Sequence, residues 1–273
     1  MKKILISIVL VLVLLVGCLA TFAACKDSGS NGVVVVGYTL YEPMNYEENG
    51  ELVGFDTDLA KAVFKELNYE VVFKEINWDA KYMDLNSGNI TCIWNGFTSS
   101  CTDTNAAGET VNRKDLVSFS YDYMKNYQAV VVKASEQSSY TDFETSFAGK
   151  QGYVEAGSAG EEYAENAKGA TIKTATKQME AIMQVKTGAA DFAVVDYLLA
   201  NSIVGKGDFQ NLAFVSQLNS EVEYYAIGFK KGSKLTAKVN TVLEKFAKNG
   251  KLAEIAKKYG LDNAVITDFS SQK

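Results

Sequence analysis

Histidine is absent from this chain of 273 residues, proline occurs once (Pro43), and arginine occurs once (Arg113) among 27 basic residues. The missing imidazole excludes Ser-His-Asp and Cys-His nucleophile activation and His-ligated zinc. Catalysis built on carboxylates, lysine or tyrosine survives that cut. Positive charge is also in deficit, at a formal net charge of -6. A protein that coats a polyanion needs a basic stripe to displace counterions, so nucleic acid is not an expected partner. There is no Walker or Rossmann glycine pattern and no repeat with a period of about 20 to 50 residues, so nucleotide binding has little support and no cofactor is expected. Core material is plentiful: 47% of residues are hydrophobic and 11% aromatic, enough for one large domain or two ordinary ones. The solitary arginine either marks a site that needs a flat, two-toothed donor or reflects drift toward lysine; composition leaves both readings open.

Residues 1–24 read as an address. Lys2 and Lys3 precede an apolar run from Ile4 to Val16, broken only by Ser7, and then small residues. That is the pattern of a secretory signal. Cys18, in Leu15-Val16-Gly17-Cys18, and Cys25, in Phe22-Ala23-Ala24-Cys25, each resemble the lipobox of bacterial lipoproteins. Cys25 is preferred for lipidation, because residues 25–32 are polar and Gly/Ser-rich and make a flexible tether, whereas Cys18 is followed by more apolar chain. An uncleaved helix from Ile4 to Ala24 is the other reading, since about 20 apolar residues can span a membrane. Both place the remaining chain outside the cytoplasmic membrane. Cys92 and Cys101 are then left in the body, either as a disulfide or as a buried strand thiol and an exposed loop thiol. Two thiols without histidine are too few for a structural zinc site, and no metal is expected.

The body alternates strand and helix patterns, the sign of an α/β architecture with parallel sheets. Val33 to Tyr38 reads as a buried strand, Asp56 to Leu67 as an amphipathic helix with acids in its first turn, Glu70 to Ile76 as strand, Trp78 to Asn86 as helix and Ile90 to Trp94 as strand. Thr98 to Asn112 is polar and aperiodic and reads as a loop. A second alternation follows: strand Gln128 to Lys133, Gly152-Tyr-Val-Glu, a helix from about Gly160, a helix opening at Thr176 and closed by Gly188, and strand Asp191 to Asp196. Strand Tyr224 to Lys230 and helices Leu235 to Lys248 and Leu252 to Tyr259 close the chain. Two such lobes make a cleft, and ligands of open α/β sheets bind at the carboxyl ends of strands. Tyr38 to Tyr41, Asn95 to Thr98, Ala156 to Gly160 and Asp196 cluster at those ends. Asp196 reads either as a ligand-facing charge or as the N-cap of the segment that follows it.

Those positions carry a resemblance. Val36-Gly-Tyr-Thr-Leu-Tyr-Glu-Pro-Met-Asn-Tyr, Gly50-Glu-Leu-Val-Gly-Phe-Asp-Thr-Asp-Leu-Ala, Leu85-Asn-Ser-Gly-Asn, Ile93-Trp-Asn-Gly-Phe-Thr, Ala156-Gly-Ser-Ala-Gly-Glu-Glu-Tyr and Lys186-Thr-Gly-Ala-Ala-Asp-Phe-Ala-Val-Val-Asp are similar, in order, to the polar-amino-acid substrate-binding proteins of bacterial ABC importers (family 3 solute-binding proteins). The resemblance implies a type II periplasmic-binding-protein fold, two α/β lobes joined by two hinge strands, with lobe 1 over 33–123 and 220–273 and lobe 2 over 124–219. It implies that Arg113, in Arg113-Lys-Asp-Leu-Val-Ser-Phe119-Ser, binds the ligand α-carboxylate, a task that suits a guanidinium. Thr98 would support that carboxylate, the Asn95-Gly96 backbone would accept from the ammonium, Gly157-Ser158-Ala159 would offer N–H groups, and Asp196 would pair with the ammonium. Tyr41 and Trp78 fall where the family places aromatic walls, although core packing explains Trp78 equally well. Tyr38 stands where several cationic-amino-acid binders carry Asp, which weakens a Lys or Arg ligand, while Glu42 is near. Arg113 follows Thr98 by 15 positions. That is about ten residues more than the family pattern, around Ser99 to Glu109, an insertion a surface loop absorbs at small entropic cost.

The resulting expectation is a lipid-anchored, monomeric binding protein, not an enzyme. Its partners are a free amino acid, the membrane subunits of an ABC permease and, through the anchor, the membrane. The same fold serves cyclohexadienyl (arogenate/prephenate) dehydratases, for which Glu42 or Glu155 could supply a general acid. A sensory amino-acid-binding domain is the third class, and no second apolar span occurs up to Lys273.

Overall fold

Four consecutive valines start strand β1 (Val33–Tyr38), and β-branched side chains in such a run favour a pleated, buried strand. The computed structural model describes residues 32–272. The signal segment, Cys18, Cys25 and the tether up to residue 31 lie outside them. β1 is the second strand of a five-stranded sheet, flanked in parallel by β4 (Glu70–Glu75) and β5 (Cys92–Ile93). Helix α1 (Phe55–Glu66) crosses back between β1 and β4, after the small hairpin β2 (Tyr46–Glu48) and β3 (Glu51–Val53). Its apolar face, Phe55, Leu59, Val63 and Phe64, is fully buried with Leu243, Phe246 and Leu252 of the last two helices. The Trp78–Ala80 turn and α2 (Lys81–Ser87) lead to β5.

The chain then forms β6 (Thr102–Thr104), β7 (Thr110–Asn112), α3 (Arg113–Leu116), β8 (Val117–Phe119) and β9 (Met124–Asn126) before entering a second sheet. That sheet runs β12 (Thr171–Ala175), β11 (Gln151–Glu155), β13 (Phe192–Asp196), β10 (Gln128–Lys133), β14 (Leu212–Phe214). α4 (Ala159–Ala164), α5 (Gln178–Thr187) and α6 (Tyr197–Ile203) belong to it. Phe147, Val154, Phe192 and Val194 form its core on one face. The return path is β15 (Glu223–Tyr225), paired antiparallel with β9. β16 (Gly228–Lys230), α7 (Leu235–Lys248) and α8 (Lys251–Lys258) complete the first lobe. The two crossings between sheets are therefore the paired strands β9 and β15.

Three expectations are corrected. The sheets are mixed, not wholly parallel: β16 in the first and β10 in the second each run antiparallel to both neighbours, because the chain enters and leaves each sheet by direct crossings instead of helical ones. Tyr224 to Lys230 is not one strand but two, since the chain leaves the inter-lobe ribbon at Tyr225 and joins the first sheet at Gly228. Thr98 to Asn112 is not a loop throughout. Thr102–Thr104 and Thr110–Asn112 pair antiparallel, the threonines favouring strand and Asn105 to Gly108 supplying the turn. Cys92 is buried and Cys101 half-buried, and both are free. Among the described residues no helix is long and apolar enough to cross a membrane.

Candidate functional site

The carboxyl ends of β1, β5, β11 and β13 converge where the two lobes meet. Trp78, Asn95, Gly96, Thr98, Arg113, Ser158, Ala159 and Asp196 line one cavity, together with Glu155 and Gln178. Its free space is about 10 Å³, the room of about one water molecule, so the lobes are drawn tightly together. A larger hollow of about 770 Å³ lies on the hinge side, lined by Tyr46, Tyr127, Tyr197 and Tyr259. It contains Glu42 but none of the other expected residues.

Arg113 is 2% exposed and opens α3. Its Nη1 donates to the Thr98 carbonyl at 3.2 Å and its Nη2 to the Gly157 carbonyl of the other lobe at 3.2 Å. Nε lies 3.5 Å from Asp103 Oδ2, and the guanidinium covers the Phe97 ring at 5.2 Å. Lys81, 1% exposed, also donates to the Gly157 carbonyl, at 3.0 Å. Burial, helped by the Arg113 charge, lowers the Lys81 pKa to about 8 despite the pairing with Asp103.

Asp196 ends β13 at the N-cap position of α6, but its side chain makes no capping bond. Three amides hold it instead. Asn126 Nδ2 donates at 2.9 Å and Gln128 Nε2 at 2.6 Å to Oδ1, while Gln178 Nε2 donates at 2.5 Å to Oδ2. Asn126 and Gln128 also donate to Glu223 Oε1, at 2.7 and 2.8 Å, and Thr98 Oγ1 does so at 3.0 Å. Asp196 and Glu223 thus share their donors. Burial raises both pKa values, that of Glu223 to about 7 with Asp196 adding to the rise. Glu155, 3% exposed, is pushed to about 8 by burial first and by Asp196 second, and its Oε1 has no hydrogen-bond partner among the described residues.

The remaining expected residues are placed as follows. Asn95 is buried, with its amide spent on Thr39 and Asn45. The Gly96 N–H donates to Asp56 Oδ2 at 3.0 Å, and burial lifts the Asp56 pKa to about 7. Gly96 has φ 57, and a Cβ there would lie 2.6 Å from Tyr41 Cε1, so only glycine fits. Tyr41 stands behind Gly96, outside the lining, with its hydroxyl 2.7 Å from that of Tyr225. Trp78 both lines the cavity and packs edge-on against Phe97, at 5.5 Å between centroids. The Gly157-Ser158-Ala159 turn leads into α4, which is capped by Ser158, begins at Ala159 and has only 6 residues. Glu161 engages two of its polar groups: Gly157 N–H donates to Glu161 Oε2 at 2.6 Å, and Ser158 Oγ accepts from Glu161 N–H at 3.1 Å.

Gln178, Glu223, Asn126, Gln128, Lys81 and Asp103 were not anticipated from the sequence. Gln178 carries a signal, being the one polar residue on the buried Gln178-Ala181-Ile182-Val185 stripe of α5. Among the described residues no group of three or more cysteine, aspartate or glutamate side chains is placed to hold a metal.

Comparison with known proteins shows the family and the fold. Residues 33–262 match the model of the bacterial extracellular solute-binding proteins, family 3. The arginine-binding extracellular protein ArtP of Bacillus subtilis is 28% identical over 260 residues, covering 91% of this chain and 96% of that protein. The arginine-, lysine-, histidine-binding protein ArtJ of Geobacillus stearothermophilus superposes with a TM-score of 0.70 at 31% identity, covering 83% of this chain and 94% of that one. An ancestral amino acid-binding protein described as a precursor of cyclohexadienyl dehydratase superposes with a TM-score of 0.70 at 29% identity, over 84% and 95% of the two chains. The two lobes have the type II periplasmic-binding-protein fold. The chain belongs to the bacterial extracellular solute-binding proteins of family 3.

Proposed function

We infer that this protein is the extracytoplasmic substrate-binding component of an amino-acid ABC importer, and that it captures a free amino acid by closing two lobes over it. The observation that carries this reading is the pairing of Arg113 and Asp196 in one cavity, with opposite charges facing the two ends a zwitterion presents. A guanidinium has five N–H donors, and the Thr98 and Gly157 carbonyls use one on each terminal nitrogen, so two terminal N–H groups remain for a carboxylate. Asp196, fixed by three amides, takes the ammonium, and Thr98, Gly96 and Ser158 surround the same end. Lobe 1 comprises 33–123 and 220–273 and lobe 2 comprises 124–219; β9 and β15 act as the hinge that opens the cavity for entry. Glu155, buried with an unpartnered oxygen, reads a cationic or N–H-bearing side chain, and the arginine-binding names of the relatives point the same way. Cys25 carries the lipid that tethers the monomer to the outer face of the membrane, near its permease.

Thermal-shift and tryptophan-fluorescence titrations against the twenty amino acids test this reading, Trp78 being in the lining. One or a few amino acids, arginine first, are expected to stabilise the protein and change its emission; no response to any of them overturns it. Glu155 also favours a second reading, because a carboxyl with a pKa of about 8 is protonated at pH 7 and can serve as a general acid. Incubation with prephenate and arogenate decides the matter: turnover makes the protein a dehydratase, and its absence leaves capture as the function.

A further inference from the structure

The β6–β7 hairpin lies between Thr98 and Arg113, and it touches both lobes. On the lobe 1 side, Asp103 Oδ2 lies 3.1 Å from Lys81 Nζ and 3.5 Å from Arg113 Nε, and it accepts from the Tyr82 hydroxyl at 3.0 Å. Two cations 1% and 2% exposed need a counter-charge, and the hairpin supplies it from a single carboxylate oxygen. The turn is stiff, since Asn105 Oδ1 accepts from the N–H groups of Ala107 and Glu109, and the base is closed by Arg113 N–H donating to the Cys101 carbonyl at 3.1 Å. On the lobe 2 side, Thr102 meets Glu162 of α4 twice: Oγ1 donates to Oε1 at 2.8 Å and N–H donates to Oε2 at 3.2 Å. A carboxylate gripped by two donors from a stiff hairpin is a directional, charge-assisted contact.

We propose that this hairpin is a clasp across the mouth of the cleft, anchored to lobe 1 by Asp103 and fastened to lobe 2 by Thr102 on Glu162, and that it slows escape of the captured amino acid. The clasp rests on the cleft being the amino-acid site. Glu162 is solvent-exposed, so its removal spares the core, and the contact forms only when the lobes meet. It therefore acts on the closed state and on dissociation, leaving encounter with the open cleft unchanged.

Stopped-flow Trp fluorescence with the bound amino acid, on full-length-fold protein carrying Glu162→Ala, tests the clasp. Dissociation is expected to accelerate about tenfold, the loss of one charge-assisted contact, with association within about twofold of wild type. Glu165→Ala, at the C-cap of the same short helix, serves as the control with both rates unchanged. Small-angle scattering of unliganded protein gives a readout that needs no ligand: Glu162→Ala should enlarge the radius of gyration and Glu165→Ala should not. An unchanged dissociation rate in Glu162→Ala overturns the clasp while leaving amino-acid capture intact. If wild type binds no amino acid the functional reading fails and takes with it the clasp's part in retaining ligand; the fastening of one lobe to the other by Thr102 and Glu162 then stands on an enlarged radius in Glu162→Ala and falls on an unchanged one.

Discussion

Glu155 and Asp196 end two neighbouring parallel strands, β11 and β13, and both enter the cavity between the lobes, where Asp196 adds to the burial that holds Glu155 protonated up to a pH of about 8. A ligand cation beside Glu155 favours its ionised form, so binding releases a proton. Other groups face it: Asp196 and Glu180 oppose ionisation, while Gln178 and Lys81 favour it. Affinity for arginine should therefore rise between pH 6 and 7.5, by at most about tenfold per pH unit for one proton released. This window lies below the pKa of about 8 of Lys81, which keeps its charge. Titration calorimetry at several pH values checks the slope. Glu155→Gln should weaken arginine binding and flatten the dependence, and a wild-type affinity that falls with rising pH contradicts the assignment.

Stability without ligand should move the other way. Burial holds the folded pKa values of Asp56, Glu155 and Glu223 at about 7, 8 and 7, above the ordinary carboxylate values of 3.8, 4.5 and 4.5. The folded state then holds protons that the unfolded chain has lost, and the stability from that difference is full below about pH 4 and is lost as pH rises through 7 to 8. Thermal melts of unliganded protein should give a higher Tm at pH 5.5 than at pH 7.5. A lower Tm at the acidic end shows that these carboxyls ionise freely inside the fold.

Gly96 supplies a steric test. Alanine there meets Tyr41 at 2.6 Å and Tyr225 at 3.1 Å in a left-handed backbone conformation, whereas Gly108, at φ 81 in the hairpin turn, has open space. Gly96→Ala should cost about 2–4 kcal/mol, from overpacking added to backbone strain, and Gly108→Ala only about 1 kcal/mol. Urea denaturation of both variants makes the comparison, and equal losses remove the packing argument.

Much of this was legible in the sequence, and the gaps have physical causes. The helix Phe55–Glu66 and the strand Phe192–Asp196 announce themselves because local pattern and tertiary burial agree. Arg113 stood out by rarity, and its neighbours Thr98 and Ser158 by motif. The hairpin Thr102–Asn112 was hidden because its strands are 3 residues each with Val111 their one apolar side chain, too short and too polar for a periodicity to mark them. Lys81 and Asp103 become partners only through that hairpin, and Asn126, Gln128 and Glu223 only when β9 meets β15. Such pairings depend on strand register, which local composition does not encode.

The proposed lipid anchor at Cys25 can be tested without structure. Cys25→Ser should release the protein from the membrane fraction of its host into the soluble or secreted fraction, while Cys18→Ser should leave it attached. Fractionation and immunoblotting read this directly, and the reverse pattern assigns the lipid to Cys18.

Arg113→Lys tests the central claim most directly, because lysine keeps the charge and removes the paired donors. Calorimetric titration of wild type and variant with the same amino acid should show one site per chain in the wild type. The variant's affinity should be weaker by about 1.5–3 kcal/mol, roughly 10- to 150-fold, with the Tm lowered by only a few degrees. Equal affinities in the two proteins contradict the assignment of the ligand carboxylate to Arg113.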